Sequence, residues 1–155
     1  MTATTPCALN QVTGFQITTS LHGLYCLDHS VTVTPVDSAG NAVSTYSGSV
    51  NLSTSTGRGT WLLQTGTGAF GDPTANDGAA TYTFPGNQAS ATFWLRYRSG
   101  AQTVNVDVFE QGSSIRDTNT EGSIFFSPSG FTVTSQPITA PVTSEMSVGS
   151  MRIFP

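Results

Sequence analysis

Hydrophobic and polar residues alternate along short runs of this chain, which is the pattern of half-buried β-strands. Between Val31 and Thr34, valine and threonine take turns, so that the two residue types occupy opposite faces of a pleat. The same alternation recurs over residues 91–98 and 104–108. Glycine, proline, asparagine and aspartate separate the runs and mark turns, as in the DSAGN sequence of residues 37–41.

These runs predict an all-β protein without a helix of useful length. Short strands with turn signals between them are typical of an antiparallel β-sandwich of the immunoglobulin-like type, and a jelly roll is the alternative. The polar stretch 111–122 is predicted to be a long loop. Strands are expected at residues 15–19, 30–36, 49–54, 60–63, 79–84, 90–97, 103–109, 124–126 and 131–134.

The length of 155 residues suits one domain, which is predicted to be an immunoglobulin-like sandwich over residues 1–134. After Thr134 the alternation fades, and Pro137 and Pro141 stand among small polar residues. Residues 135–155 are therefore predicted to be a linker or an edge segment that leads to a following module. Residues 1–6 lack the basic and apolar regions of a signal peptide, so we expect the sequence to lie within a longer exported chain.

Charged residues make up 9% of the chain, against about 25% in an ordinary soluble domain. Polarity comes instead from 25 threonines and 19 serines, which keep a sheet face wet without charge. The net charge of −4 and the absence of a basic cluster argue against nucleic acid and anionic membrane as partners. The chain has no lysine for Schiff-base chemistry, and no apolar run reaches the roughly 18 residues that a membrane span needs.

Two cysteines, Cys7 and Cys26, flank the first predicted strand. In an oxidising compartment they are expected to form a disulfide, which in the chain-entropy model stabilises a loop of this size by about 3 kcal/mol. The alternative is a pair of unpaired buried thiols. The low charge and the abundance of threonine and serine favour the oxidising setting, and hence the bridge.

Catalytic residues are not predicted. His29 follows Asp28, and neighbours on a strand point to opposite faces, so the two do not form a triad pair. His22 and His29 are both interpreted as polar residues of loops or strand edges. The nine carboxylates show no spacing that favours a facing pair of the kind glycosidases use.

Two groups of residues are candidate binding sites. Asp72, Asn76 and Asp77 offer oxygen ligands suited to calcium, although Asp-Pro and Asp-Gly are also ordinary turn sequences, and the turn is favoured. No other cofactor is predicted.

The second group, Trp94, Arg96 and Arg98, alternates on one predicted strand. Aromatic and guanidinium groups together stack on sugar rings or bind anionic glycans. The alternative, which is favoured, is the solvated face of a sheet, or a core position for the tryptophan. Trp61 is expected to anchor the core.

Several stretches, taken in order, resemble a conserved region of the MshQ-like proteins, biogenesis proteins of mannose-sensitive haemagglutinin pili. The resemblance runs from about Cys7 to Phe131, and its most specific part is the sequence LSTSTGRGTW. More loosely, the layout resembles the bacterial immunoglobulin-like modules of invasins and intimins. The stretches are residues 23–26, 31–34, 37–41, 52–61, 77–84 and 126–131.

This resemblance implies a cell-surface or pilus-associated protein of a Gram-negative bacterium, exported through the periplasm. It supplies no catalytic residues. The leading hypothesis is a non-catalytic structural or display module whose partners are the neighbouring domains of the same surface protein. The alternative is a module that binds surface glycans through Trp94, Arg96 and Arg98, with or without calcium.

Overall fold

A computed structural model describes residues 11–118 and 120–128. Within these residues the chain forms strands and turns, and no helix is present that would be long and apolar enough to cross a membrane. Cys7, the predicted strand at 131–134 and the predicted linker at 135–155 lie outside the described residues. The strands are β1 (Gly14–Thr19), β2 (His22–Leu24), β3 (Asp28–Val36), β4 (Ser49–Thr54), β5 (Thr60–Thr65), β6 (Ala69–Gly71), β7 (Ala79–Thr83), β8 (Ala91–Arg96), β9 (Gln102–Val104), β10 (Val106–Glu110) and β11 (Ile124–Ser127).

The strands pair into two four-stranded antiparallel sheets and one small sheet. The first sheet has the order β1-β3-β8-β5, the second β10-β4-β7-β6, and the small one β2-β11-β9. Asn105 alone separates β9 from β10, and its carbonyl accepts the N–H of Ser55 at 2.9 Å, beside the β10–β4 ladder. The small sheet therefore continues the second sheet. Within the described residues, β2 and β11 are the one pair of named strands that run parallel.

This arrangement confirms the predicted fold class, an all-β antiparallel sandwich. The order β1-β3-β8-β5 matches the A-B-E-D sheet of an immunoglobulin-type domain, with β5 in the fourth place. The opposing sheet pairs β4 with β10, and through β9 with β11, as strands C, F and G pair in that fold.

The core forms because the apolar side of each alternating strand faces the opposing sheet. On β8, Phe93 and Leu95 are fully buried and point inward, while the alternate residues Thr92, Trp94 and Arg96 lie half-buried on the outer face. Trp61 is buried as predicted and meets Phe93 edge to face, with ring centroids 6.4 Å apart. The largest fully buried side chains are Trp61, Tyr82, Tyr97, Phe15, Phe84, Phe93 and Phe126.

Residues 111–118, predicted as part of a loop, close one side of the sandwich. The carbonyl of Arg116 accepts the N–H of Phe15 on β1 at 3.3 Å, and Phe109 on β10 forms an isolated bridge with Arg116. The main-chain N–H of Asp117 also donates to the carbonyl of Val108 at 2.8 Å. This segment therefore ties an edge strand of the first sheet to an edge strand of the second.

Candidate functional site

The predicted glycan-binding residues lie on or beside β8, a central strand of the first sheet. Trp94 is half-buried on the outer face, with Ser30 of β3 and Leu62 of β5 opposite it in register. Arg98 is exposed and follows the end of β8. The structure thus places Trp94 on a solvated sheet face, as the favoured sequence interpretation expected.

Arg96 is engaged in an ion pair. Its Nε donates to Oδ1 of Asp28 at 2.7 Å and its Nη2 donates to Oδ2 at 2.9 Å, which is a two-pronged contact across β3 and β8. The hydrogen bond from Arg96 is the main reason that the pKa of Asp28 lies below its ordinary value. An anionic glycan that bound Arg96 would therefore have to share or displace the contact with Asp28.

The three predicted calcium ligands each accept a main-chain hydrogen bond. Asp72 Oδ2 accepts the N–H of Trp61 at 2.7 Å, and Asp77 Oδ1 accepts the N–H of Ala79 at 2.9 Å. Asn76 Oδ1 accepts the N–H of residue 59 at 3.1 Å, and Asn76 itself has a φ of 63°. Asp77 thereby organises a local turn, whereas Asp72 and Asn76 bond the loop to the chain at the start of β5.

One atom of this loop has no hydrogen-bond partner among the described residues. It is Asp72 Oδ1, which is buried. The described part of the chain contains no group of three or more histidine, cysteine, aspartate or glutamate side chains arranged to hold a metal ion. The calcium site therefore stays a prediction, and the geometry that is present is that of a turn.

His29 differs from the sequence interpretation, which placed it in a loop or at a strand edge. It is buried on β3, where Nε2 lies 2.8 Å from Oγ1 of Thr19 and the ring meets Phe126 edge to face at 5.3 Å. Burial lowers the pKa of the imidazole, so the neutral form is favoured. Asp28 points to the opposite face, as the strand pattern predicted.

Cys26 is exposed in the turn between β2 and β3 and has a φ of 73°. Its N–H donates to the carbonyl of Tyr97 at 2.8 Å, so the turn is fixed against β8. Cys7 lies outside the described residues, and the predicted bridge between the two cysteines stays a prediction.

The register of β1 and β3 bears directly on that bridge. The N–H of Thr13 donates to the carbonyl of Val36 at 2.9 Å, at the far end of β3 from Cys26. From Val36 to Asp28 the strand runs about 26 Å, and Cys26 lies two residues beyond. The six steps from Thr13 to Cys7 span at most about 21 Å, and bridged Cα atoms lie within about 7 Å. A Cys7–Cys26 bridge would therefore need a nearly fully extended segment between Cys7 and Thr13, and it stays a prediction.

The sequence analysis missed an acidic group beside the segment that closes the sandwich. Asp117 is buried and its Oδ1 accepts the N–H of Val108 at 2.9 Å. Burial, and then the negative charge of Asp117, raise the pKa of Asp107; burial likewise raises the pKa of Glu121. These acids approach one another because residues 111–118 fold back and bond to β10. No local sequence pattern predicts that contact.

Comparisons with known proteins do not assign the chain to a family. No family model matches it, and no curated protein matches it. It is similar to the Reelin-N domain of F-spondin, with a TM-score of 0.49 and 13% identity over 79% of this chain and 91% of that one. It is also similar to the human F-spondin reeler domain, with a TM-score of 0.45 and 12% identity over 75% and 93% of the two chains. Similarity this distant supports no conclusion about function.

Proposed function

We propose that this chain is a non-catalytic structural or display module of an extracellular protein, in which it spaces or presents neighbouring domains. The pilus-associated or adhesin-type surface protein of a bacterium is the setting that the sequence resemblance suggests. Its partners in that setting are the domains on either side of it, and a position outside the cell follows from the same resemblance.

The observation that supports this function is that aspartate side chains accept hydrogen bonds from the main chain. Asp37 Oδ1 accepts the N–H groups of Ala39 and Asn41, both at 2.9 Å, and closes the turn between β3 and β4. Asp77 closes a turn in the same way, while Asp72 and Asp117 accept main-chain N–H groups of β5 and β10 and so bond loops to strands. Carboxylates that an enzyme would direct at a substrate are here bonded to the chain's own backbone.

A domain whose two sheets do not move relative to each other suits the role of a spacer. Both four-stranded sheets are antiparallel, and residues 111–118 link their edges through main-chain hydrogen bonds. Relative motion of the sheets would have to break those bonds together with the aromatic contacts of the core. Hydroxyl groups also pair on the outer face of the first sheet, as in the contact between Thr32 Oγ1 and Thr92 Oγ1 at 3.0 Å.

A domain exchange in the full-length parent protein tests this function. Residues 11–128 are replaced by an unrelated immunoglobulin-like domain of the same length, and surface display and adhesion of whole cells are measured. We expect both to stay within twofold of the parent, whereas deletion of the segment lowers adhesion. Adhesion lost in the exchanged protein, with normal display, would refute a purely structural role.

Glycan binding is the second candidate, and the exposure of part of Trp94 on a flat polar face is the observation that favours it. An indole ring in this position presents a surface on which a sugar ring stacks. The test is a glycan array with the whole chain, followed by the variant Trp94→Ala. A signal that disappears in Trp94→Ala but persists in Leu62→Ala, its neighbour across the sheet, supports binding at the tryptophan.

A further inference from the structure

A polar cleft lies where the loop between β4 and β5 meets the loop between β8 and β9. Its volume is about 550 Å³, which is within the range of small-molecule binding sites. The cleft is distinct from the surface around Trp94, which lies on the outer face of the first sheet. The residues that line the cleft are all polar: Ser55, Thr56, Arg58, Ser99 and Gln102.

Arg58 brings a positive charge to this cleft that no described carboxylate matches. Of the four arginines in the described residues, three lie close enough to an aspartate to attract its charge: Arg96, Arg98 and Arg116. The guanidinium of Arg58 forms no hydrogen bond or ion pair with any described residue. Because a guanidinium presents its donors as a fork that fits the two oxygens of a carboxylate, the cleft is suited to an anion of that kind.

The main chain of Arg58 is fixed although its side chain is exposed. The buried Thr54 holds it at two points, since Oγ1 donates to the carbonyl of Arg58 at 2.8 Å and accepts its N–H at 3.2 Å. Gly78 leaves room for this contact, because a Cβ there would lie 2.7 Å from the nitrogen of Arg58. A loop that is already fixed loses less conformational entropy when a ligand binds.

The buried Tyr97 positions two further groups of the cleft. Its hydroxyl donates to Oε1 of Gln102 at 2.8 Å and lies 3.3 Å from Oγ1 of Thr56. The amide nitrogen of Gln102 forms no hydrogen bond with any described residue, so it is available as a donor. Together with the hydroxyl of Ser99, these groups both donate and accept hydrogen bonds, as the hydroxyls of a sugar require.

We propose that this cleft binds a sugar acid, that is, a saccharide that carries a carboxylate. Arg58 pairs with the carboxylate, and Thr56, Ser99 and Gln102 bond to the sugar hydroxyls. A carboxylate fits better than a phosphate, because the cleft offers one cation and a phosphate group carries nearly two negative charges. This site goes beyond the structural role proposed above and does not rest on it.

Titration of the whole chain, followed by NMR of its amides, tests the proposal. The probes are glucuronate and N-acetylneuraminate, which are sugar acids of two kinds, with glucose and acetate as controls at the same concentrations. We expect the amides of residues 55–58 and 99–102 to shift with at least one of the two sugar acids and much less with either control. Equal shifts with glucose would show that charge plays no part, and equal shifts with acetate that the hydroxyls play none. Either result, or no shift with both sugar acids, would overturn the proposal.

The variant Arg58→Gln separates this site from a general attraction to cations. The guanidinium takes no part in the bonds to Thr54, so we expect the variant to fold and to melt with the unaltered chain. Its affinity for the sugar acid should fall about tenfold, because a hydrogen bond to a charged group is lost. Arg98→Gln removes the same charge from a residue that does not line the cleft, and should keep the affinity within roughly twofold. Equal losses in the two variants, or shifts that vanish in Trp94→Ala, would overturn the proposal.

Discussion

Oδ2 of Asp72 accepts the main-chain N–H of Trp61 across 2.7 Å, so a residue that the sequence offers as a calcium ligand is bonded to the second residue of strand β5. The indole of Trp61 is held from the same loop, because its Nε1 donates to the carbonyl of Gly78 at 3.1 Å. The loop between β6 and β7 thereby fixes the largest buried side chain of the core at both its backbone and its ring.

Removing the Asp72 carboxylate should therefore destabilise the whole sandwich. Asp72→Ala leaves the N–H of Trp61 without its acceptor, and a hydrogen bond to a charged group or an orphaned donor is worth about 1–3 kcal/mol. We expect a loss of that size in the free energy of unfolding, measured by urea denaturation with tryptophan fluorescence. Asp72→Asn, which keeps an acceptor oxygen, should lose less.

Thr74→Ala in the same loop serves as the matched control. Thr74 is exposed, and a surface substitution away from special features usually changes stability by less than about 0.5 kcal/mol. If Asp72→Ala and Thr74→Ala unfolded at the same urea concentration, the bond between Asp72 and Trp61 would not contribute to stability.

Calcium should have no effect on thermal stability. The oxygens of Asp72, Asn76 and Asp77 that accept main-chain hydrogen bonds would each have to give up a backbone donor in order to face a cation. We expect equal melting temperatures in millimolar calcium and in excess chelator, by differential scanning calorimetry. A melting temperature that rises with calcium and falls back with chelator would establish the site that the sequence suggested.

Several strands were predictable almost to the residue. Residues 49–54 were expected to form a strand and do so as β4, and the predicted strand 124–126 is β11 with one residue added. The single strand expected at 103–109 is divided at Asn105, where the chain changes partner from β11 to β4. Such a change of partner is a tertiary event, and the alternation of valines continues through it.

The two strands that were missed are β2 and β6, each of three residues and each containing a glycine. Neither has the length to show a period, and β2 exists because Gly23 permits close approach to the ring of Phe126. The ion-pair partner of Arg96 was missed for a related reason. Sequence spacing put Arg96 and Trp94 on one face, but only the pairing of β3 with β8 brought Asp28 to the guanidinium.

Both cysteines should react with iodoacetamide in the unfolded chain without prior reduction. The basis is that the N–H of Thr13 donates to the carbonyl of Val36, at the far end of β3 from Cys26. We expect the intact mass of the monomer to show two adducts. No adducts before reduction and two after it, with the mass of one chain, would establish the predicted Cys7–Cys26 bridge.

The acidic group at Asp107 should make stability depend on pH in an unusual direction. Burial and the charge of Asp117 raise the pKa of Asp107 in the folded chain, so the folded state binds this proton more tightly than the unfolded state does. The stabilising contribution is thus complete below the unfolded pKa, near 3.9, and is lost as pH rises through the folded value. Asp37, whose pKa is lowered chiefly by the backbone hydrogen bond from Asn41, behaves in the opposite way.

Asp107→Asn removes the charge and keeps an oxygen for the amide of Asn105, which donates to Asp107 Oδ1 at 3.1 Å. We therefore expect the variant to melt a few degrees above the unaltered chain at pH 7, and the difference to shrink towards zero near pH 3.5. Asp37→Asn should lower the melting temperature at pH 7 and have less effect at acid pH. If Asp107→Asn melted below the unaltered chain at pH 7, the charge of Asp107 would stabilise the fold. Its attraction to Arg116 would then outweigh the cost of burying it beside Asp117.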